Sequence, residues 1–386
     1  MKIAFFSCYL SPHQKPFSDE MYKLLETDYV FVACEPFSQE RINMGWCECN
    51  EVPYVLRAYE SKQQEESALK LAVNCDIMIF GSASYKFVKA RKESGKIMFR
   101  YSERLLKQGL CRALKSLDYL RHIKANHMLQ SSNTYLLSAS NYAPYDFEII
   151  GAKFKNAYRW GYYPETIAYD IDRLFEEKKN IIPEILWAGR MIKWKHPEFA
   201  LNLAKRLHDC GIPFHMTIVG NGAMEDELRD VILKNDLQKV VSMPGAMEPQ
   251  KVRKYMEKAN IYLFTSDYNE GWGAVLNEAM NSGCAVVCSD AVGSAGYLIE
   301  DGKDGLLFPY DKEEQLYNCV SSLLKNPEQT DKLGKAACEK IQNEWSAQNA
   351  AARFCAVAGA ILRGETVQFS SGPMSNATVT KPSKIW

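Results

Sequence analysis

The chain has 386 residues, 47% of them hydrophobic and 24% charged, and its 47 basic side chains are balanced by 47 acidic ones. At roughly 150 residues per domain this length predicts two or three domains, with enough core to fold without disulfide or metal staples. Zero net charge argues against a dedicated nucleic-acid binder and the apolar content against wholesale disorder, while no apolar run approaches the roughly 20 residues of a transmembrane helix.

Met1–Leu10 reads as a first buried strand and not as a signal peptide. It carries one charge, is interrupted by Ser7 and Cys8, and has no small-residue cleavage site before Pro12. The expected location is therefore cytoplasmic, and the 12 cysteines read as reduced thiols. Cys47 and Cys49 make a lone C-x-C with Cys34 as a candidate neighbour in space. Without a second Cys/His pair at zinc spacing, no metal site is assigned.

Five apolar runs, Lys2–Ser7, Tyr29–Cys34, Asp76–Gly81, Lys96–Tyr101 and Thr134–Ser140, predict strands buried on both faces. They are separated by amphipathic stretches such as Glu66–Val73 and Glu103–Lys124. The rhythm repeats in the second half, with strands predicted at Ile185–Gly189, Phe214–Gly220, Val240–Pro244, Ile261–Thr265, Ala285–Asp290 and Gly305–Phe308. Helical spacing of Phe199, Ala200, Leu203, Ala204 and Leu207 falls between the first two of these. Strands alternating with helices imply parallel sheets, so the expected fold is α/β with two doubly wound, Rossmann-like domains. The predicted division is 1–165, then 166–344, then a helix over 345–365 crossing back to the first domain. Residues 366–386, rich in Ser, Thr, Gly and Pro, read as a mobile tail.

Ligands of such sheets bind beyond the carboxyl ends of the strands. The richest loop is Asn269-Glu270-Gly271-Trp272-Gly273-Ala274-Val275-Leu276-Asn277-Glu278, which follows Ile261–Thr265 and opens a helix. Glu270 and Glu278 would lie about 80° apart on one continuous helix. Glu270 is therefore placed before a helix starting near Gly273 or Ala274, where it and the amides of Gly271 to Ala274 converge on a phosphate or sugar phosphate. Glu278, a turn inside, is placed to accept ribose hydroxyls. The plain alternative is a capped helix with glutamates in its first turns. Arg190 and Lys195 follow Ile185–Gly189, and paired cations suit a diphosphate leaving group on which charge grows. The alternative there is a solvated basic turn. Gly220-Asn221-Gly222 and Gly245 end two further strands, where glycine permits close backbone approach.

In combination, Gly189-Arg190…Lys195, Gly220-Asn221-Gly222 and Glu270…Glu278 within E-G-W-G-x-x-x-x-E-A-M resemble glycosyltransferase family 4, over about residues 183–330. The resemblance implies a retaining, nucleotide-sugar-dependent enzyme of the GT-B fold, its two domains facing a central cleft. It also implies Arg190 and Lys195 at the donor diphosphate, Glu270 at the donor sugar and Glu278 at the ribose. Gly271, Trp272, Gly273 and Ala274 would lie between these glutamates, with Asn221, Gly222 and Gly245 completing the donor site. In such enzymes the leaving phosphate takes the acceptor proton, so no protein nucleophile, metal or other cofactor is expected. A UDP-sugar is the commonest co-substrate of the family. Asp170-Ile171-Asp172 mimics a metal-binding D-x-D, but its position in the interdomain segment marks it as a helix start. The first half departs from the family in its post-strand loop, Ser11-Pro12-His13-Gln14-Lys15-Pro16. His13 is its candidate catalytic contact, with the Tyr101-Ser102-Glu103-Arg104 stretch a further candidate for the cleft.

Zero net charge is a cancellation. Residues 1–165 hold 22 basic and 18 acidic side chains against 25 and 29 in the remainder, and Lys86–Lys124 alone has 12 basic and three acidic ones. Six leucines interleave with that run. It is expected to hold the protein at an anionic membrane surface, at the inner face of the cell membrane, where a lipid-linked saccharide acceptor would lie. The alternative is a solvated face with the leucines turned to the core. The expected activity is sugar transfer to a saccharide or lipid-linked acceptor in surface polysaccharide or glycoconjugate synthesis. A sugar-nucleotide epimerase or hydrolase of the same fold, or a silent sugar-nucleotide-binding scaffold, are the rivals.

Overall fold

A computed structural model describes residues 1–38, 42, 48–110, 115–127, 133–179 and 181–383. Contacts divide the chain into two units, Met1–Glu165 with Trp345–Trp386, and Thr166–Glu344. Cys47, and Arg112 and Leu114 of the basic run, lie outside the described residues.

The first unit is built on seven parallel strands: β1 (Ile3–Ser7), β2 (Tyr29–Ala33), β3 (Val55–Arg57), β4 (Ile77–Phe80), β5 (Met98–Ser102), β6 (Thr134–Ser138) and β7 (Ala157–Arg159), ordered β3-β2-β1-β4-β5-β6-β7. The five predicted strands are present, and all five are almost wholly buried, as parallel strands covered by helices on both faces must be. The two missed strands, β3 and β7, are three-residue edge strands with too short an apolar run to register as strands. One face of the sheet packs Ala4, Phe6, Val32, Met78 and Phe80 against Ala68, Ala72, Phe87 and Val88.

The late helix spans Ala347–Arg363, opened by Ser346 Oγ accepting the Asn349 amide and closed by left-handed Gly364. Its Phe354 meets Phe17, Phe99 and Trp160 edge-on at 6.3, 5.1 and 5.8 Å, which places this helix in the first unit's core. The segment after it does not behave as the mobile tail its composition predicts. Residues 374–377 run antiparallel to β7: the Arg159 amide donates to Ser375 O at 2.7 Å, Met374 N to Arg159 O at 2.9 Å and Ala377 N to Ala157 O at 2.8 Å. An edge strand offers a row of open main-chain groups, so backbone pairing, together with burial of Met374 and Ser375, orders a segment whose composition offers little to bury.

The predicted helix Glu103–Lys124 is also corrected: the described helix is Leu117–His127, and Glu103–Leu106 forms no helix. Nor is the basic run a uniform surface. Arg91 is fully buried and donates to the carbonyls of Ala72, Cys75, Asp76 and Ile97. Arg100 is buried against Phe80 O, Gly81 O and Asn126 Oδ1, and Arg104 forms a buried ion pair with Asp146. Among the described residues, three cations of this run therefore serve the interior. A guanidinium carries five donors, enough to satisfy several strand-end and helix-end carbonyls at once.

The second unit is a six-stranded parallel sheet of β8 (Glu184–Ala188), β9 (His215–Val219), β10 (Val241–Gly245), β11 (Ile261–Phe264), β12 (Ala285–Ser289) and β13 (Leu306–Phe308), ordered β10-β9-β8-β11-β12-β13. All six were predicted within about a residue or two at either end. Helix Pro197–Asp209 buries Ala200, Leu203, Ala204 and Leu207, the spacing the sequence displays, against Ile185, Trp187, Met216 and Ile218. Asp170 caps the helix Ile171–Glu177 by accepting the Arg173 amide at 3.2 Å, the helix start assigned to it.

Candidate functional site

Strand order in the second unit reverses at β8, whose neighbours are β9 on one side and β11 on the other. Loops leaving β8 and β11 diverge there to opposite faces, which opens a crevice at their carboxyl ends. The β8 loop carries Arg190 and Lys195, and the β11 loop carries Glu270.

Lys195 Nζ lies 2.6 Å from Glu270 Oε2, and the two side chains are only 14% and 11% exposed. Ser266 Oγ donates to the same oxygen at 3.0 Å. The loops are laced by further bonds: Thr265 Oγ1 accepts from Trp187 Nε1 at 2.9 Å and donates to Lys195 O at 2.7 Å, and Tyr262 Oη donates to Ala188 O at 3.0 Å. An ammonium has three donors, so the bond to Glu270 leaves Lys195 capacity for an anionic ligand. Arg190 is exposed, its guanidinium 5.8 Å from the Trp194 ring.

The three glycine positions join the same edge. The Gly189 amide donates to Val219 O, Met191 N to Asn221 O at 2.7 Å, and Gly220 N to Gly245 O at 3.0 Å. The loops after β8, β9 and β10 are thus one knitted surface. At Gly220, with φ +137°, a β-carbon would stand 1.9 Å from Gly189 O. Asn221 and Gly222 are exposed on that surface.

Glu270 precedes its helix, as the spacing predicts; the helix is Val275–Asn281, opening just after Ala274. Gly273, at φ +85°, has no room for a β-carbon, which would lie 2.6 Å from the Phe264 ring. At Trp272 the reading rests on the main-chain amide, and the side chain is structural. Its indole is fully buried, with Nε1 donating to Asn277 Oδ1 at 2.8 Å, and only its main chain borders the loop. Glu278 is half-buried in the helix, and desolvation raises its carboxyl pKa against the opposing pull of Arg253. Arg253 Nη1 donates to Glu278 O at 2.9 Å.

His13 belongs to the other unit. It sits in the turn after β1, its ring stacked at 6.0 Å on Tyr162, and Tyr163 N donates to its carbonyl at 3.0 Å. Burial raises the pKa of Tyr101 and Tyr162 well above the phenolic range, with Glu103 adding to both. Sequence reading missed Ser266 and Asp267, which lie among the four residues between β11 and the glutamate loop, and His196, immediately after Lys195. Their only sequence signal is adjacency to residues already singled out.

Residues 170–340 match the family model described as glycosyl transferases group 1. An N-acetylgalactosamine-N,N'-diacetylbacillosaminyl-diphospho-undecaprenol 4-alpha-N-acetylgalactosaminyltransferase of Campylobacter jejuni is 31% identical over 163 residues, 42% of each chain. The amylovoran biosynthesis glycosyltransferase AmsK of Erwinia amylovora is 27% identical over 239 residues, 58% of this chain and 57% of that one. The match thus spans about half or less of the length of these curated relatives. Among solved structures, Anabaena Alr3699/HepE in complex with UDP superposes with a TM-score of 0.66 at 15% identity, covering 92% of this chain and 100% of that one. Sucrose-phosphate synthase from Thermosynechococcus elongatus gives 0.65 at 14% identity, covering 95% and 100%. The second unit thus matches the glycosyl transferases group 1 family model over most of its length, and the fold of the chain is that of GT-B glycosyltransferases.

Proposed function

We propose that the chain is a retaining glycosyltransferase that moves a sugar from a nucleoside-diphosphate sugar, a UDP-sugar in the first instance, to a saccharide or lipid-linked saccharide. The observation that carries this reading is the Lys195–Glu270 pair, braced at the switch point of the sheet by loops from two adjacent strands. Lys195 and Arg190 meet the diphosphate, whose charge grows as its bond to the sugar breaks, so their stabilisation is largest in the transition state. Glu270, fixed by Lys195 and Ser266, faces the sugar, and Glu278 accepts from the ribose. The leaving phosphate oxygen takes the acceptor proton, so the reading requires neither a protein nucleophile nor a metal. Support for UDP comes from the fold shared with Anabaena Alr3699/HepE in complex with UDP, and for a lipid-linked acceptor from the name of the Campylobacter relative.

The acceptor reading places the protein at the inner face of the membrane as a peripheral protein, by way of the helix Leu117–His127. Leu117 and Leu120 are 75% and 37% exposed, and Arg121 and Lys124 are exposed at the spacing that shares their face, while Tyr119 and Ile123 pack inward. No helix among the described residues is long and apolar enough to cross a membrane.

The test is a screen of UDP- and other nucleotide sugars for thermal shift and for sugar release, followed by transfer to an undecaprenyl-diphosphate saccharide. Glu270→Gln is expected to abolish transfer while UDP affinity stays within about twofold, and wild-type-like turnover refutes its role. Arg190→Ala is expected to weaken UDP binding. Turnover of donor without acceptor favours the hydrolase or epimerase instead. Absence of co-sedimentation with anionic vesicles at low salt refutes the membrane surface.

A further inference from the structure

His196 turns the chain from the turn Lys193–Lys195 into helix Pro197–Asp209 and adopts φ +49°, ψ +53° to do so, a left-handed conformation uncommon for a residue with a β-carbon. That twist aims its imidazole between two carboxylates from different elements. Nδ1 lies 2.7 Å from Glu198 Oε1 on the helix, and Nε2 lies 3.6 Å from Asp267 Oδ2 in the loop after β11. Phe199 stacks on the ring at 4.7 Å, and the Tyr310 ring, just after β13, lies at 6.3 Å.

Asp267 in turn shapes the loop that carries Glu270. Its amide donates to Trp194 O at 2.9 Å, and its carbonyl accepts the Glu270 amide at 3.0 Å. Its Oδ1 accepts from the Asn269 amide and from Asn269 Nδ2, both at 2.8 Å. The β8 and β11 loops are therefore tied by two charged crosslinks one residue apart on the β8 side. Lys195–Glu270 is the first and His196–Asp267 the second.

We infer that His196 is a positioning residue, an imidazolium that holds Asp267 and through it sets the Lys195–Glu270 geometry on which binding of a nucleoside diphosphate depends. The inference rests on the donor-site reading above. Geometry favours a cation here: Nδ1 bonds Glu198, while Nε2, 3.6 Å from Asp267 Oδ2, is within ion-pair reach but outside hydrogen-bond distance, so a charged ring is what attracts both carboxylates. Burial alone would lower the imidazole pKa, yet the neighbouring Asp267 and Glu198 carboxylates raise it to about 9. Glu198, Asp267 and Tyr310 are the titratable groups facing it from the packed elements. A folded pKa above the unfolded value near 6.5 gives a stabilisation complete below about pH 6.5 and lost as pH rises through about 9.

The decisive measurement is the NMR titration of the His196 ring in the full chain, alongside UDP affinity by calorimetry from pH 7 to 9.5 for wild type and His196→Gly. Glycine accepts positive φ freely, so this variant removes the side chain without straining the turn. Expected are a ring titration above pH 8 and a UDP affinity that falls several-fold between pH 8 and 9.5 in the wild type. In His196→Gly the affinity is expected to be about tenfold weaker at pH 7 and flat across that interval. A ring that titrates near pH 6.5, or a glycine variant that binds UDP as the wild type does at every pH, overturns the inference. A wild type that binds no UDP counts against the donor reading instead, and the ring titration then decides this one.

Discussion

Lys195→Ala separates a braced catalytic pair from a decorative one. The Lys195 and Glu270 charges are 2.6 Å apart and both nearly buried. At an effective dielectric of about 20, two unit charges at that separation attract by about 6 kcal/mol before desolvation is counted. Desolvation of both groups offsets much of that, so the substitution reads chiefly the penalty of stranding Glu270. For a buried pair that penalty is about 3–5 kcal/mol. The Ser266 bond at 3.0 Å survives and the carboxylate keeps slight access to water, which puts the loss at the low end, about 3 kcal/mol. In a unit of this size such a loss lowers the thermal midpoint by roughly 6–12 °C. Glu270→Gln keeps an amide oxygen for both donors and should cost about 1 kcal/mol. In the double variant no buried charge is stranded, so the two effects should fall short of additivity by about 2 kcal/mol. Tryptophan-fluorescence unfolding of the four proteins at pH 7 measures the cycle. A coupling below about 0.5 kcal/mol refutes a functional brace and returns the pair to the class of weak surface contacts.

Gly220→Ala forces a β-carbon against a main-chain oxygen 1.9 Å away, at φ +137°. It should lower stability by about 3 kcal/mol, whereas Gly245→Ala, at φ +87° with open space around it, should cost only about 1–2 kcal/mol of backbone strain. Equal midpoints for the two would refute the close approach of the β8 and β9 loops. Truncation after Glu365 should destabilise the first unit, read as a lower midpoint and faster proteolysis, because it strips three main-chain hydrogen bonds from β7; an unchanged midpoint would restore the mobile tail. Arg91→Met, which strands the carbonyls of Ala72, Cys75, Asp76 and Ile97, should cost about 2–4 kcal/mol by chemical denaturation, and a loss under 1 kcal/mol would refute a structural role for the buried cation.

The long parallel strands were legible because a strand covered on both faces must be apolar along its whole length, and Ile261–Phe264 or Ala285–Ser289 can be nothing else at that length. Edge strands escape the same logic. Val55–Arg57 and Ala157–Arg159 owe their existence to the neighbour they pair with, and the last of these also orders a segment more than two hundred residues away. Charge is equally ambiguous in one dimension. Arg91 and Lys92 are adjacent in a basic run, yet one is fully buried against helix-end and strand-end carbonyls and the other is exposed.

Residue types and spacing by themselves determined that the chain alternates strand and helix twice over, that the loops after β8 to β11 carry cations, glycines and glutamates, and that Glu270 precedes its helix. These follow from periodicities of two and 3.6 and from what φ each residue tolerates. Only the tertiary structure decided that Lys195 reaches Glu270 across 75 positions, that Ser266 shares that oxygen, and that His196 meets Asp267. Pairings of that kind depend on strand order. Placing β8 beside β11 brings together two loops that local sequence leaves unrelated.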